Sequence, residues 1–144
     1  MSTFSSVVGL SIVASLLVGC SESSSTPTSP SSVMADQLAG TWNVLSIQPT
    51  GQLEQATPAG ASYTLTFADG RLSTRVDCNI CSGAFALSGQ TLTAGLVLAC
   101  TRAACPTMAF GNAYASLLSG ESTVTLSDGT LVLSSARGML WFMR

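Results

Sequence analysis

From about Gln37 to Arg144 the chain runs as short apolar stretches separated by turn signals, and several of the stretches alternate with a period of two. Tyr63, Leu65 and Phe67 share one face, Phe85 and Leu87 share another, and so do Val124 and Leu126. The pattern predicts strands over Thr41–Ile47, Ser62–Ala68, Leu72–Asp77, Gly83–Leu87, Thr91–Leu98, Ser122–Leu126, Thr130–Leu133 and Met139–Met143. Asp69-Gly70, Ser88-Gly89 and Asp128-Gly129 supply the positive φ angles of tight hairpins, and Ser82-Gly83 suits a turn or a bulge. Short strands at this regular spacing predict a mainly β fold, an antiparallel barrel or strongly curled sheet.

One segment breaks the rhythm. Pro106–Leu118 reads as a helix, with Pro106 in a first-turn position and Gly120 at the exit. Phe110, Tyr114, Leu117 and Leu118 recur at i, i+4, i+7 and i+8 and form one apolar face, expected to pack on the sheet. Tyr63, Phe67, Phe85, Phe110 and Trp141 are candidates to fill the barrel, and Trp42 and Trp141 are expected in the core or at a barrel end.

The amino-terminal region has a different character. Residues 7–18 are apolar, but a bilayer core needs about 20 such residues, so the run suits the central region of a signal peptide. Leu17-Val18-Gly19-Cys20 resembles the bacterial lipobox, which predicts cleavage after Gly19 and acylation of Cys20. The segment ahead of the apolar run carries no Lys or Arg, a departure from the usual signal peptide. Ser21–Ser32, rich in Ser, Thr and Pro, reads as a tether because it lacks the apolar surface needed to order itself. The expected organisation is a signal peptide over 1–19, a lipidated Cys20 with a linker over 20–36, and a single domain over 37–144. Ser21 beside the acylated cysteine fits the outer-membrane default, so the predicted location is the outer membrane, lipid-anchored and facing the periplasm.

Composition narrows the chemistry. Only 8% of the 144 residues are charged, the net charge is -2, and the chain has no His. A basic nucleic-acid footprint is excluded, as are Ser-His-Asp and Cys-His catalysis. Asp69 and Asp128 precede Gly in predicted turns, where Asp favours the backbone geometry, and Asp77 abuts a cysteine at a strand end. These residues are therefore read as structural, and the sequence predicts no catalytic residue, no metal site and no cofactor. Arg102 is expected to hydrogen-bond carbonyls or pair with Asp77, with an anion site as the lesser alternative. Asn79 is expected to serve a turn or bulge.

Setting Cys20 aside leaves Cys78, Cys81, Cys100 and Cys105. An even count in an exported domain argues for two disulfides, with three connectivities open. Zinc and redox readings compete less well: the Cys100–Cys105 spacing is loose for zinc, and Cys78-Asn79-Ile80-Cys81 lacks a βαβ setting.

Taken together, Leu38-Ala-Gly-Thr-Trp42, Leu65-Thr-Phe67, Asp69-Gly-Arg71, Cys78-Asn79-x-x-Ser82-Gly83-x-Phe85, Leu92-Thr93 and Thr101-Arg102-x-x-Cys105-Pro106 resemble the META domain of HslJ-type lipoproteins. The resemblance spans about Leu38 to Arg144. It implies a cracked antiparallel barrel with one helix, and it implies a Cys78–Cys105 bridge, leaving Cys81–Cys100 as an added pair. It carries over no catalytic residue. The expectation is a non-enzymatic envelope lipoprotein that binds a partner protein, or an apolar ligand in the cracked barrel, in stress tolerance and meets the membrane through its lipid. The alternative is an inhibitor of a periplasmic or extracellular hydrolase, acting through the Gln48–Ala61 loop.

Overall fold

Two-residue hairpins set the architecture. In the computed structural model, which describes residues 33–95 and 98–144, strand β3 (Tyr63–Ala68) returns as β4 (Arg71–Val76) through Asp69 and Gly70, at φ 52° and 70°. The same device joins β8 (Gly120–Ser127) to β9 (Thr130–Ser135) through Asp128 and Gly129. Both turns were legible because Asp-Gly tolerates positive φ at both central positions. Strand β4 turns into β5 (Asn79–Ser88) through Asp77 and Cys78, with Val76 opposite Asn79 and Asp77 at φ 59°.

The remaining elements complete a ring. A short helix α1 (Ala35–Leu38) leads into β1 (Gly40–Pro49), and β6 (Thr91–Ala94) follows β5. Helix α2 (Met108–Leu118) precedes β8, and β10 (Gly138–Met143) follows β9. The pairing order β10-β9-β8-β6-β5-β4-β3-β1 is closed by β1 pairing with β10, giving an eight-strand antiparallel barrel. Two minor strands lie off the ring: β2 (Gln55–Ala56) on β1, and β7 (Ala99–Cys100) on β5. Strand β5 pairs with β6 only over Phe85–Ser88, while Cys81 and Ser82 pair with β7.

Alternation decides what faces inward. Strand β4 buries Leu72, Thr74 and Val76, and β10 buries Leu140 and Phe142. In β1 the alternation shifts: a register break between Val44 and Ser46 leaves Leu45 outside and places Ser46 and Ile47 both in buried positions. Trp42, Phe67, Tyr114 and Phe142 are the bulkiest side chains at 1% exposure or less, so the barrel is filled by its own residues and not by the apolar ligand expected inside it.

Helix α2 covers this core with Phe110, Tyr114, Leu117 and Leu118, the four residues of the predicted stripe. Its 11 residues are too few for isolated stability, where about 12–15 are needed, so packing of this face holds the helix. Each fully buried side chain of this size contributes about 2 kcal/mol.

Several expectations are corrected. The strand predicted over Thr91–Leu98 ends at Ala94, and Ala99–Cys100 pairs instead with β5. The strand predicted from Gly83 begins at Asn79, because the turn before it takes only two residues. Ser82-Gly83 forms no bulge: Gly83 lies in register opposite Leu72, and a Cβ there would come 2.8 Å from Leu98 Cδ2. Trp141 does not fill the barrel. Its neighbours Leu140 and Phe142 take the inward positions, which leaves Trp141 half-buried on the other face. The helix starts at Met108, with Pro106 and Thr107 in the turn before it. Cys20, the apolar run and the tether lie outside the described residues.

Candidate functional site

The chemistry-bearing residues converge where β4 ends and α2 begins. Cys78 and Cys105 are bonded, as are Cys81 and Cys100, the pairing implied by the family resemblance. Cys81 and Cys100 face each other directly in the β5–β7 pairing. The bridges span 27 and 19 residues, and loop closure of that size contributes about 3 to 4 kcal/mol each.

Asn79 organises the segment between the bridges. Its Oδ1 accepts from the Ala103 amide at 2.7 Å and from Thr101 Oγ1 at 3.0 Å. Its Nδ2 donates to the Ala103 carbonyl at 3.0 Å and lies 3.0 Å from Cys105 Sγ. Thr101 Oγ1 in turn accepts from the Ile80 amide at 3.0 Å. Asn79 therefore sits at the start of a strand and clamps a distant loop. The positive-φ position is Asp77, two residues earlier.

Asp77 does not pair with Arg102. Its Oδ2 accepts from Thr107 Oγ1 at 2.6 Å and from the Thr107 amide at 3.1 Å. Thr107 is the N-cap of α2 and makes no cap bond of its own, so the Asp77 carboxylate serves the helix start from another element. The single hydroxyl proton of Thr107 goes to Asp77, so Tyr63 donates to Thr107 Oγ1 at 2.7 Å. Burial pushes the Tyr63 hydroxyl pKa up, the Thr107 bond pulls it down, and the Asp77 charge raises it further; the net direction is upward.

A second network lies deeper. Thr74 Oγ1 donates to the Thr64 carbonyl at 2.7 Å, so the Tyr114 hydroxyl donates to Thr74 at 2.7 Å. Burial drives the Tyr114 pKa strongly upward, only partly offset by that bond. Among the described residues, every buried side-chain nitrogen or oxygen has a partner.

Beside this corner runs a groove of about 500 Å3, between α2 and the Thr101–Ala104 segment. Val76, Cys81, Met108, Gly111 and Ala115 contribute its apolar lining, with Arg102 and Asn112 among the polar residues. Arg102 is exposed and, among the described residues, has no hydrogen-bond or ionic partner, so neither the carbonyl contacts nor the Asp77 pair expected of it forms. A second outer groove of about 540 Å3 is lined by Phe67 and Phe85 with Asp36 and Asp69. Among the described residues, no group of three or more Cys, Asp or Glu is arranged to hold a metal ion.

A small antiparallel barrel, covered by a single long helix and cross-braced where that helix begins, defines the class of protein. The META domain model matches residues 36–144, and the chain belongs to the META-domain family. The fold is similar to an NMR structure of a protein from Burkholderia xenovorans, with TM-score 0.63 and 25% identity, covering 76% of this chain and 85% of that one. A second NMR structure matches with TM-score 0.61 and 25% identity, covering 77% and 94%. A crystal structure of a lipocalin-like protein from Bacteroides uniformis aligns with TM-score 0.48 and 18% identity, covering 75% and 98%. No curated protein matches in sequence.

Proposed function

We propose that this chain is a non-enzymatic lipoprotein of the cell envelope, held to the outer membrane through Cys20 and acting in stress tolerance by binding a partner protein or an apolar ligand. The observation that carries this reading is the use made of the polar residues at the corner. Tyr63, Thr107 and Asp77 bond in series and Asn79 bonds to the Ala103 backbone, so these groups are engaged with protein partners, and the pocket that Tyr63, Asp77 and Asn79 border holds only about 30 Å3. Asp69 and Asp128 occupy positive-φ turn positions, which accounts for their presence without chemistry. Two disulfides suit an oxidising compartment. Side chains fill the barrel interior, so an apolar ligand belongs in an outer groove.

The test is complementation after heat challenge in a strain lacking the protein. The full chain and an Asp69→Asn/Asp128→Asn variant should rescue, and Cys20→Ser should not. Rescue by Cys20→Ser would remove the anchor from the reading. Lost rescue in the Asp variant with an unchanged urea midpoint would point to catalysis. A photo-crosslinker at Ala104, on the groove, should give one discrete adduct in the envelope.

The hydrolase-inhibitor reading draws support from the Gln48–Ala61 loop. Thr57 Oγ1 donates to the Val44 carbonyl at 2.6 Å, the Thr50 amide donates to the Arg137 carbonyl at 2.8 Å, and Leu53 stands 86% exposed. A pre-ordered loop presenting an apolar side chain suits insertion into a partner's pocket. A discrete adduct from position 53 and none from position 104 favours this reading over the first.

A further inference from the structure

We propose that the groove between α2 and the Thr101–Ala104 segment binds a monoanionic amphiphile of the long-chain carboxylate class, with Arg102 holding the head group. The inference rests on the reading of this domain as a binding module and assigns it a ligand class and a place.

The groove is apolar except for a few polar groups, and these differ in availability. Asn79 and Thr101 are bonded to each other and to the loop. Among the described residues, Arg102 is the only charged one in the lining, and its guanidinium has no hydrogen-bond or ionic partner there. Asp77, the acid at this corner, directs its carboxylate to Thr107 and not to Arg102. A guanidinium takes a carboxylate through two parallel hydrogen bonds, which gives both orientation and strength.

The apolar part matches a chain. Val76 and Cys81 are buried, while Met108 is 46% exposed and available for contact. A Cβ at Gly111 would stand 2.9 Å from Val76 Cγ1, so helix and strand meet closely beneath the groove. A volume of about 500 Å3 falls in the range that holds a small organic ligand, about 300–1,000 Å3. The other outer groove carries Asp36 and Asp69, and its charge disfavours an anion.

Titration calorimetry of the full chain tests this with octanoate, decanoate and dodecanoate, each below its micelle-forming concentration. Affinity should rise by up to about fourfold per added methylene until the groove is filled. Dodecanol and dodecyltrimethylammonium should bind at least about tenfold more weakly than dodecanoate, and Arg102→Gln should weaken dodecanoate by a similar factor. The urea midpoint of Arg102→Gln should stay at the wild-type value because the exposed guanidinium has no hydrogen-bond or ionic partner among the described residues, and Arg71→Gln, on the β3–β4 hairpin, should bind as wild type. Dodecanoate that fails to bind, binds Arg102→Gln equally well, or is matched by dodecanol overturns the proposal. If that happens while crosslinking from position 104 still yields its adduct, the ligand class falls and the binding reading stands. If both fail, both readings fall.

Discussion

Thr107 Oγ1 donates to Asp77 Oδ2 at 2.6 Å, joining the turn between β4 and β5 to the first residue of the α2 boundary 30 positions later. The bond gives the helix start an anionic acceptor that its own sequence lacks, since its first turn contains no acid. Asp77→Ala should lower stability by about 2 to 3 kcal/mol, from loss of the charged acceptor and from placing Ala at positive φ. Asp77→Asn, which tolerates that backbone and retains one acceptor oxygen, should cost about half as much. Urea denaturation of both variants provides the measurement; equal costs would show that the lost carboxylate alone matters, and a cost confined to Asp77→Ala would show that the backbone alone does.

Asn79 should prove more important than its partly exposed position suggests. Asn79→Ala removes the acceptor of the Ala103 amide and the donor to the Ala103 carbonyl. Stability should fall by about 2 kcal/mol, and the Ala103 amide should lose its protection from hydrogen exchange. Asn79→Asp keeps the acceptor and not the donor, so the amide should remain protected. An unchanged Ala103 exchange rate in Asn79→Ala would contradict the clamp.

Tyr114 sets an alkaline limit. Its pKa in the folded chain lies well above the ordinary value of 10.0 because the ring is buried. The unfolded chain therefore loses that proton first as pH rises. Stability from this group is complete below about pH 10 and declines above it by up to about 1.4 kcal/mol per pH unit. Tyr63 shifts in the same direction and adds to the decline. Tyr114→Phe should cost about 1 kcal/mol at neutral pH and flatten the decline between pH 10 and 11. An identical alkaline slope in wild type and variant would assign the effect elsewhere.

The two bridges should not act independently. Removing either by paired Cys→Ala substitution should cost about 3 kcal/mol or more. The Asn79 side chain contacts Cys105 and also holds Thr101, next to Cys100. Removing both bridges should therefore depart from the sum of the two single losses by about 0.5 kcal/mol or more. Four thermal unfolding curves under matched conditions close this cycle, and strict additivity would mean that the clamp transmits nothing between the bridges.

The sequence by itself determined the class of fold. Period-two alternation, Asp-Gly turns and the Phe110–Tyr114–Leu117–Leu118 stripe are local signals, each set by a few neighbouring residues, and all of them reappear as hairpins and as the buried face of α2. The even cysteine count suggested two bridges, and the family resemblance supplied the pairing found in the structure. What only the tertiary structure decided depends on distant pairs. Asp77 meets Thr107 and not Arg102, and Asn79 reaches across 24 positions to Ala103. Trp141 faces away from the interior because the pairing of β10 with β9 and β1 fixes which side of that strand is covered. The groove beside Arg102 has no signature in the chain, because its walls come from β4, β5, α2 and an irregular segment that only closure of the barrel and its two bridges bring together.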